Sequence, residues 1–194
     1  MRRELVWSRW DGGGAEHLVL KVGECGATAD GAVVGAAGGL PFRAFYSARC
    51  DADWRVREAR VSDTATGGTG LKLLSDGEGH WTSNGEPAPE LEGCVDVDIS
   101  VTPFTNTLPI RRLGLVPGET SDISVAYIEP GKPRAWAECQ RYGCLESSPS
   151  GALYRFESLD GCFTADLPVD PDGLVLDYPG LFRRVFPAGG ESRS

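Results

Sequence analysis

The run Cys94-Val95-Asp96-Val97-Asp98-Ile99-Ser100-Val101 places two acids in strict alternation with branched apolar residues. Extended as a strand, it sends Val95, Val97, Ile99 and Val101 to one face and Asp96, Asp98 and Ser100 to the other, with the two carboxylates roughly 7 Å apart. That spacing suits one cation or one small substrate. Arg111 and Arg112 follow, and guanidinium forks meet carboxylates in two-point pairs. Asp96, Asp98, Arg111 and Arg112 therefore read either as a polar site that orients a ligand or as an internal ion-pair network that fixes a helix against a sheet. Structural pairs perturb charge as readily as active sites do, so the network is the plainer reading.

A second group lies further along. Glu157 ends an alternating run whose Arg155 shares its face, which reads as an ion pair or, more sharply, as one half of an acid–base pair with Asp96, Asp98 or Asp166. Tyr154, Phe156, Phe163 and Tyr178, with Phe182 and Phe186, make the last third rich in rings that serve either as core or as the lining of an apolar pocket. Arg183-Arg184 reads as a solvated or bridged pair, with an anionic headgroup as the sharper alternative. The six cysteines contain no C-x-x-C pair and only His17 and His80 could join them, so neither a zinc site nor histidine-based thiol catalysis is expected. Calcium wants six or more oxygens, which Asp96 and Asp98 do not supply. No cofactor or metal is expected.

The elements that position these residues are mostly strands. Short alternating runs are separated by glycine, proline and aspartate turns, the pattern of antiparallel β structure. The clearest are His17–Val22, Phe42–Arg49, Trp54–Ser62, Gly70–Ser75, Cys94–Thr102, Ser121–Ile128, Ala152–Ser158, Cys162–Val169 and Gly173–Tyr178. Several exceed a typical strand, so a large, strongly curved sheet is expected. One helix is predicted from Thr105–Thr107 to about Leu113, with threonine or asparagine to cap it, Pro109 in its first turn and Gly114 to end it. Its apolar groups occupy more than one face, so it should be largely enclosed. Gly12-Gly13-Gly14, Gly67-Gly68 and Gly189-Gly190 read as loops or ends, because none sits between a strand and a helix as a phosphate cradle must.

At 194 residues, with 41% hydrophobic and 24% charged residues, the chain has the make-up of one globular domain spanning 1–194 rather than of a disordered segment. Its 28 acidic against 19 basic residues give a net charge of −9, which repels phosphate backbones and argues against nucleic acid as a partner. The longest weakly polar stretch, Ala32–Phe42, is broken by glycines and a proline and falls short of the roughly 18 apolar residues a membrane span needs. Arg2-Arg3-Glu4 and a short Leu5-Val6-Trp7 run do not resemble an export signal, so a cytoplasmic protein with reduced thiols is expected.

Asp96-Val97-Asp98 followed by Thr102-Pro103-Phe104-Thr105-Asn106-Thr107-Leu108-Pro109-Ile110-Arg111-Arg112-Leu113 resembles the signature of the glycolipid-binding family, formerly a domain of unknown function. The likeness continues through Tyr46, Asp53-Trp54-Arg55, Gln140-Arg141-Tyr142, Tyr154-Arg155-Phe156-Glu157 and the stretch from Gly173 to Arg184, and covers nearly the whole chain. The resemblance implies a spiral β-roll: a long antiparallel sheet curled around a single central α-helix, with a concave interior similar to that of bacterial lipoprotein carriers. It also implies binding of a glycolipid or other amphiphile by a non-enzymatic carrier or sensor. Two further readings stand beside it. One is a small-molecule hydrolase or isomerase using paired carboxylates, recognisable by Glu157 facing Asp96 or Asp98. The other is a protein-association module with exposed strand edges, as in a homodimer.

Overall fold

The computed structural model of the protein describes residues 1–37, 39–63, 70–132 and 134–187. The Gly67-Gly68 and Gly189-Gly190 pairs lie outside the described residues. The first half of the chain runs as β1 (Arg2–Arg9), β2 (Gly14–Gly23), β3 (Gly26–Ala37), β4 (Leu40–Cys50), β5 (Val56–Asp63), β6 (Leu71–Ser75), β7 (Trp81–Ser83) and β8 (Glu86–Pro87). After β9 (Asp96–Ile99) comes the helix α1 (Thr107–Leu113), preceded by a 3-10 turn over Phe104–Asn106. The rest is β10 (Thr120–Ile128), β11 (Trp136–Ser148), β12 (Gly151–Ser158), β13 (Phe163–Val169), β14 (Asp177–Tyr178) and β15 (Phe182–Phe186).

The protein is mostly β, with a curled large sheet, but the strands form two sheets rather than one long one. The larger has ten strands in the order β14-β15-β1-β2-β3-β4-β5-β6-β7-β8, every neighbour antiparallel. The first and last described strands pair within it: β15 lies against β1, with Phe182 opposite Arg9 and Phe186 opposite Val6. The smaller has five, in the order β13-β12-β11-β10-β9, and here the expected antiparallel pairing fails once. β9 and β10 run parallel, with Asp96 opposite Val125 and Asp98 opposite Tyr127. Parallel neighbours cannot be joined by a hairpin. The connection from β9 to β10 is the crossover that carries α1.

Alternation explains which residues point inward. In β2, Glu16, Leu18 and Leu20 are buried while His17 and Lys21 are exposed. In β3 the inward positions are Ala27, Ala29, Gly31 and Val33, all small, a strand that propensity alone understates. Leu5 and Trp7 of β1 are fully enclosed, and Trp7 Nε1 donates to the Val175 carbonyl at 2.9 Å. Inward residues from both sheets and from α1 form one continuous core. The expected strand at Gly173–Tyr178 is instead a loop that bridges Val169 through Val175 and closes on the two-residue β14. The expected strand Cys94–Thr102 is shorter at both ends, because residues 100–106 turn away into the crossover.

Helix α1 begins and ends close to expectation. Gly114 takes the left-handed conformation, φ 58°, and returns its N–H to the Ile110 carbonyl. Asn106 stands at the N-cap without capping through its side chain, which is engaged elsewhere. Enclosure is partial: Thr107, Leu108, Pro109 and Ile110 are buried, whereas Arg111 is exposed. Burying Leu108 and Ile110 contributes about 2 kcal/mol each relative to exposure, which is what holds so short a helix in place.

Candidate functional site

Asp96 and Asp98 point to the same side of β9, toward the crossover, yet they do different things. Asp96 is 0% exposed and receives a two-pronged contact from Arg112, Nε at 3.1 Å to each carboxylate oxygen and Nη2 at 2.6 Å. Burial pushes its carboxyl above the ordinary range and the Arg112 guanidinium offsets part of the rise. Arg111 faces away, its guanidinium 5.1 Å from the Trp54 ring centre. The expected four-residue cluster is thus a tight pair, a separate cation–π contact, and one remaining acid.

That acid is Asp98, which accepts from Thr105 Oγ1 at 2.9 Å and from Gln140 Nε2 at 2.7 Å. It lies deep in the molecule but keeps some exposed surface, and that surface faces a cavity of about 270 Å³. Around Asp98 the wall is polar: Ser100, Thr102, Asn106, Tyr127, Glu138 and Gln140. The rest of the wall carries Ser158 and four rings, Phe156 and Phe163 from the small sheet with Tyr178 and Phe182 from the large one. These rings touch in sequence, with centroids 6.2 Å apart for Phe156 and Phe163, 6.1 Å for Phe163 and Tyr178, and 6.4 Å for Tyr178 and Phe182. The cavity therefore sits where the two sheets meet.

Burial raises the carboxyls of both Asp98 and Glu138 above their ordinary range. What offsets the rise is neutral in each case: Gln140 and Thr105 for Asp98, and the Trp136 indole N–H, 2.8 Å away, for Glu138. The charge of Asp98 raises Glu138 further. Gln140 is 2% exposed, and with its Nε2 committed to Asp98 its Oε1 is buried without a partner among the described residues.

Of the expected pocket rings, Phe156, Phe163 and Tyr178 line the cavity. Tyr154 does not; its hydroxyl donates to the Leu115 carbonyl at 3.3 Å, tying β12 to the crossover. Glu157 is on the other face of β12. It stands across the ladder from Arg141, while Arg155 pairs with Asp166 at 2.8 Å rather than with Glu157. Glu157 and the two aspartates of β9 are therefore not brought together. Arg184 is buried against Asp170 at 2.7 Å, and Arg183 lies over Trp10, 4.2 Å from its ring centre.

Sequence reasoning missed Glu138 and Gln140 as cavity residues, and it missed Glu16 altogether. Glu16 is 2% exposed and its Oε1 accepts from Tyr46 at 2.5 Å and from Thr102 at 2.8 Å, while Oε2 has no partner among the described residues. Burial pushes its carboxyl up to about 7. The signal was present: Glu16 is in phase with Leu18 and Leu20, so the strand that buries them must bury it. Thr102 serves both places, bonding Glu16 and lining the cavity, so Glu16 braces the cavity wall from behind.

Among the described residues no three His, Cys, Asp or Glu side chains gather as metal ligands, and no helix is long and apolar enough to cross a membrane. All six cysteines are free; Cys50, Cys94 and Cys144 are buried.

Fold and site together define the class: a mostly β protein whose curled sheet and smaller partner sheet line a polar and aromatic cavity, with one α-helix among the described residues. The chain belongs to the family described as "Putative glycolipid-binding", whose family model matches residues 4–184. It is similar to a DUF1089-family protein from Pseudomonas aeruginosa of known crystal structure, with 41% identity, a TM-score of 0.75, and coverage of 88% of this chain and 92% of that one. None of the curated proteins matches.

Proposed function

We propose that this protein is a non-enzymatic carrier or sensor that holds an amphiphile, its polar head in the cavity beside Asp98 and its apolar part against the aromatic wall. The observation that carries the reading is one cavity lined both by hydrogen-bonding side chains and by four rings. Carboxylates and amides engage hydroxyl groups, and ring faces cover the C–H surface of a sugar or the start of an acyl chain. At about 270 Å³ the cavity is near the lower bound of small-ligand sites, roughly 300 Å³, so it takes a head and not a whole lipid. Membership of the family supports binding as the general role. The polar contact falls to Asp98, Glu138 and Gln140, whereas Asp96 and Arg112 satisfy each other and act as a structural brace. We read residues 1–194 as one domain and the curled sheet with its helix as a spiral β-roll. An acid–base enzyme built on Glu157 finds no support in the placement of that residue.

Mass spectrometry of an organic extract of the purified protein tests the reading, together with titration of fluorescent lipid analogues. The expected result is an extractable amphiphile and micromolar binding. Ser158 of β12 lines the cavity, and a Ser158→Phe variant, which fills it, should abolish both. An empty extract and no binding by the analogues would remove the carrier role.

A further inference from the structure

We infer that the cavity selects by charge, accepting an uncharged, hydroxyl-bearing head and rejecting an anionic one such as a phosphate or sulfate ester. The inference rests on the amphiphile-binding reading and narrows its ligand class. Its first ground is the make-up of the wall: Asp98 and Glu138 are both present, and no Lys, Arg or His is among the described residues that line it. The nearby guanidinium groups are committed elsewhere. Arg112 closes on Asp96, Arg184 on Asp170, and Arg183 lies over Trp10. An anionic head would meet two acids with no counter-ion on the described wall, and like charges brought together oppose binding.

The second ground is hydrogen bonding. The carboxylates of Asp98 and Glu138 on the cavity wall accept hydrogen bonds and donate none. Hydroxyl groups supply donors; fully ionised sulfate and phosphate ester groups supply almost none. Both the field and the hydrogen-bonding capacity of the wall therefore favour the same head.

The test is isothermal titration with two detergents of one chain length, n-octyl β-D-glucoside and n-octyl sulfate, each below its micelle concentration at pH 8. The glucoside should bind, and the sulfate should bind at least about tenfold more weakly. Glu138→Gln, at a half-exposed position that tolerates a near-isosteric amide, should narrow that gap, and adding Asp98→Asn should narrow it further. If the sulfate matches or exceeds the glucoside, or if the gap survives Glu138→Gln in a protein of unchanged thermal midpoint, charge selection is overturned while amphiphile binding stands. If neither detergent binds, the amphiphile reading falls and the selectivity falls with it.

Discussion

The ring of Tyr46 lies directly over Gly31, so close that a methyl group on Gly31 would sit 2.0 Å from its Cε1. The two residues face each other across β3 and β4, and the absent side chain lets the Tyr46 hydroxyl pass over β3 to reach Glu16 on β2. Phe104 from the crossover stacks on the same ring, 6.2 Å away.

Gly31→Ala should accordingly destabilise the fold by about 1–3 kcal/mol, the usual cost of overpacking, and displace the Tyr46 hydroxyl from Glu16. In a Tyr46→Ala background the obstruction is gone, and the same change should be neutral or slightly stabilising, since alanine constrains the unfolded chain more than glycine does. Urea unfolding of the four proteins in this cycle measures the coupling. Additive effects would rule out the contact as the reason for glycine.

Glu16 should make stability depend on pH in the sense opposite to most carboxylates. Its folded value of about 7 exceeds the ordinary 4.5, so between these limits the folded protein holds a proton that the unfolded chain has released. The contribution is complete below pH 4.5 and is lost as pH rises through 7, on the order of 3 kcal/mol in all. Urea midpoints at pH 5 and pH 8 should therefore drop more for the wild type than for Glu16→Gln, which cannot ionise. Equal drops would place the origin elsewhere.

The adjacent arginines of α1 should behave very differently. Arg112→Ala leaves the fully buried Asp96 carboxylate without its partner and should cost about 3–5 kcal/mol, whereas Arg111→Ala removes a half-open cation–π contact worth about 0.5–1 kcal/mol. Replacing Asp96 and Arg112 together by leucine and methionine should recover much of the loss, because apolar packing often substitutes for a buried pair. Denaturant titration of the three variants decides it.

Thiol chemistry should divide the cysteines evenly by burial. Burial pushes the thiols of Cys50 up to about 12 and of Cys94 up to about 11, and Cys144 is likewise enclosed. Iodoacetamide at pH 8 should modify Cys25, Cys139 and Cys162 in the native protein and reach the others only after unfolding. Intact-mass measurement before and after denaturant counts the adducts.

How far the fold was legible depended on how well each strand displayed its period. β2, β10, β12 and β13 alternate plainly and were found. β3 does not stand out as a strand, and its second half falls in the weakly polar, glycine-broken stretch Ala32–Phe42, because its inward residues are Ala27, Ala29, Gly31 and Val33, with Gly31 small enough to let the Tyr46 ring lie on it. β11 escaped because Glu138 and Gln140 occupy its inward positions, and a strand that faces a polar cavity loses the apolar alternation by which strands are recognised. The helix was legible from Pro109 and Gly114, local signals that tertiary packing did not override. The division of labour between Asp96 and Asp98 was not, since two acids on one face of a strand look alike until Arg112 and Gln140 each choose one.

The pairing of β15 with β1 ties the last part of the described chain to the first. During synthesis β1 emerges early and, until β15 is made, presents an unfilled row of backbone donors and acceptors to anything else in the extended conformation. The ring of Tyr178 and the wall supplied by Phe182 arrive equally late. Covering the open side of β1 and completing the cavity wall therefore both await one pairing of long sequence range.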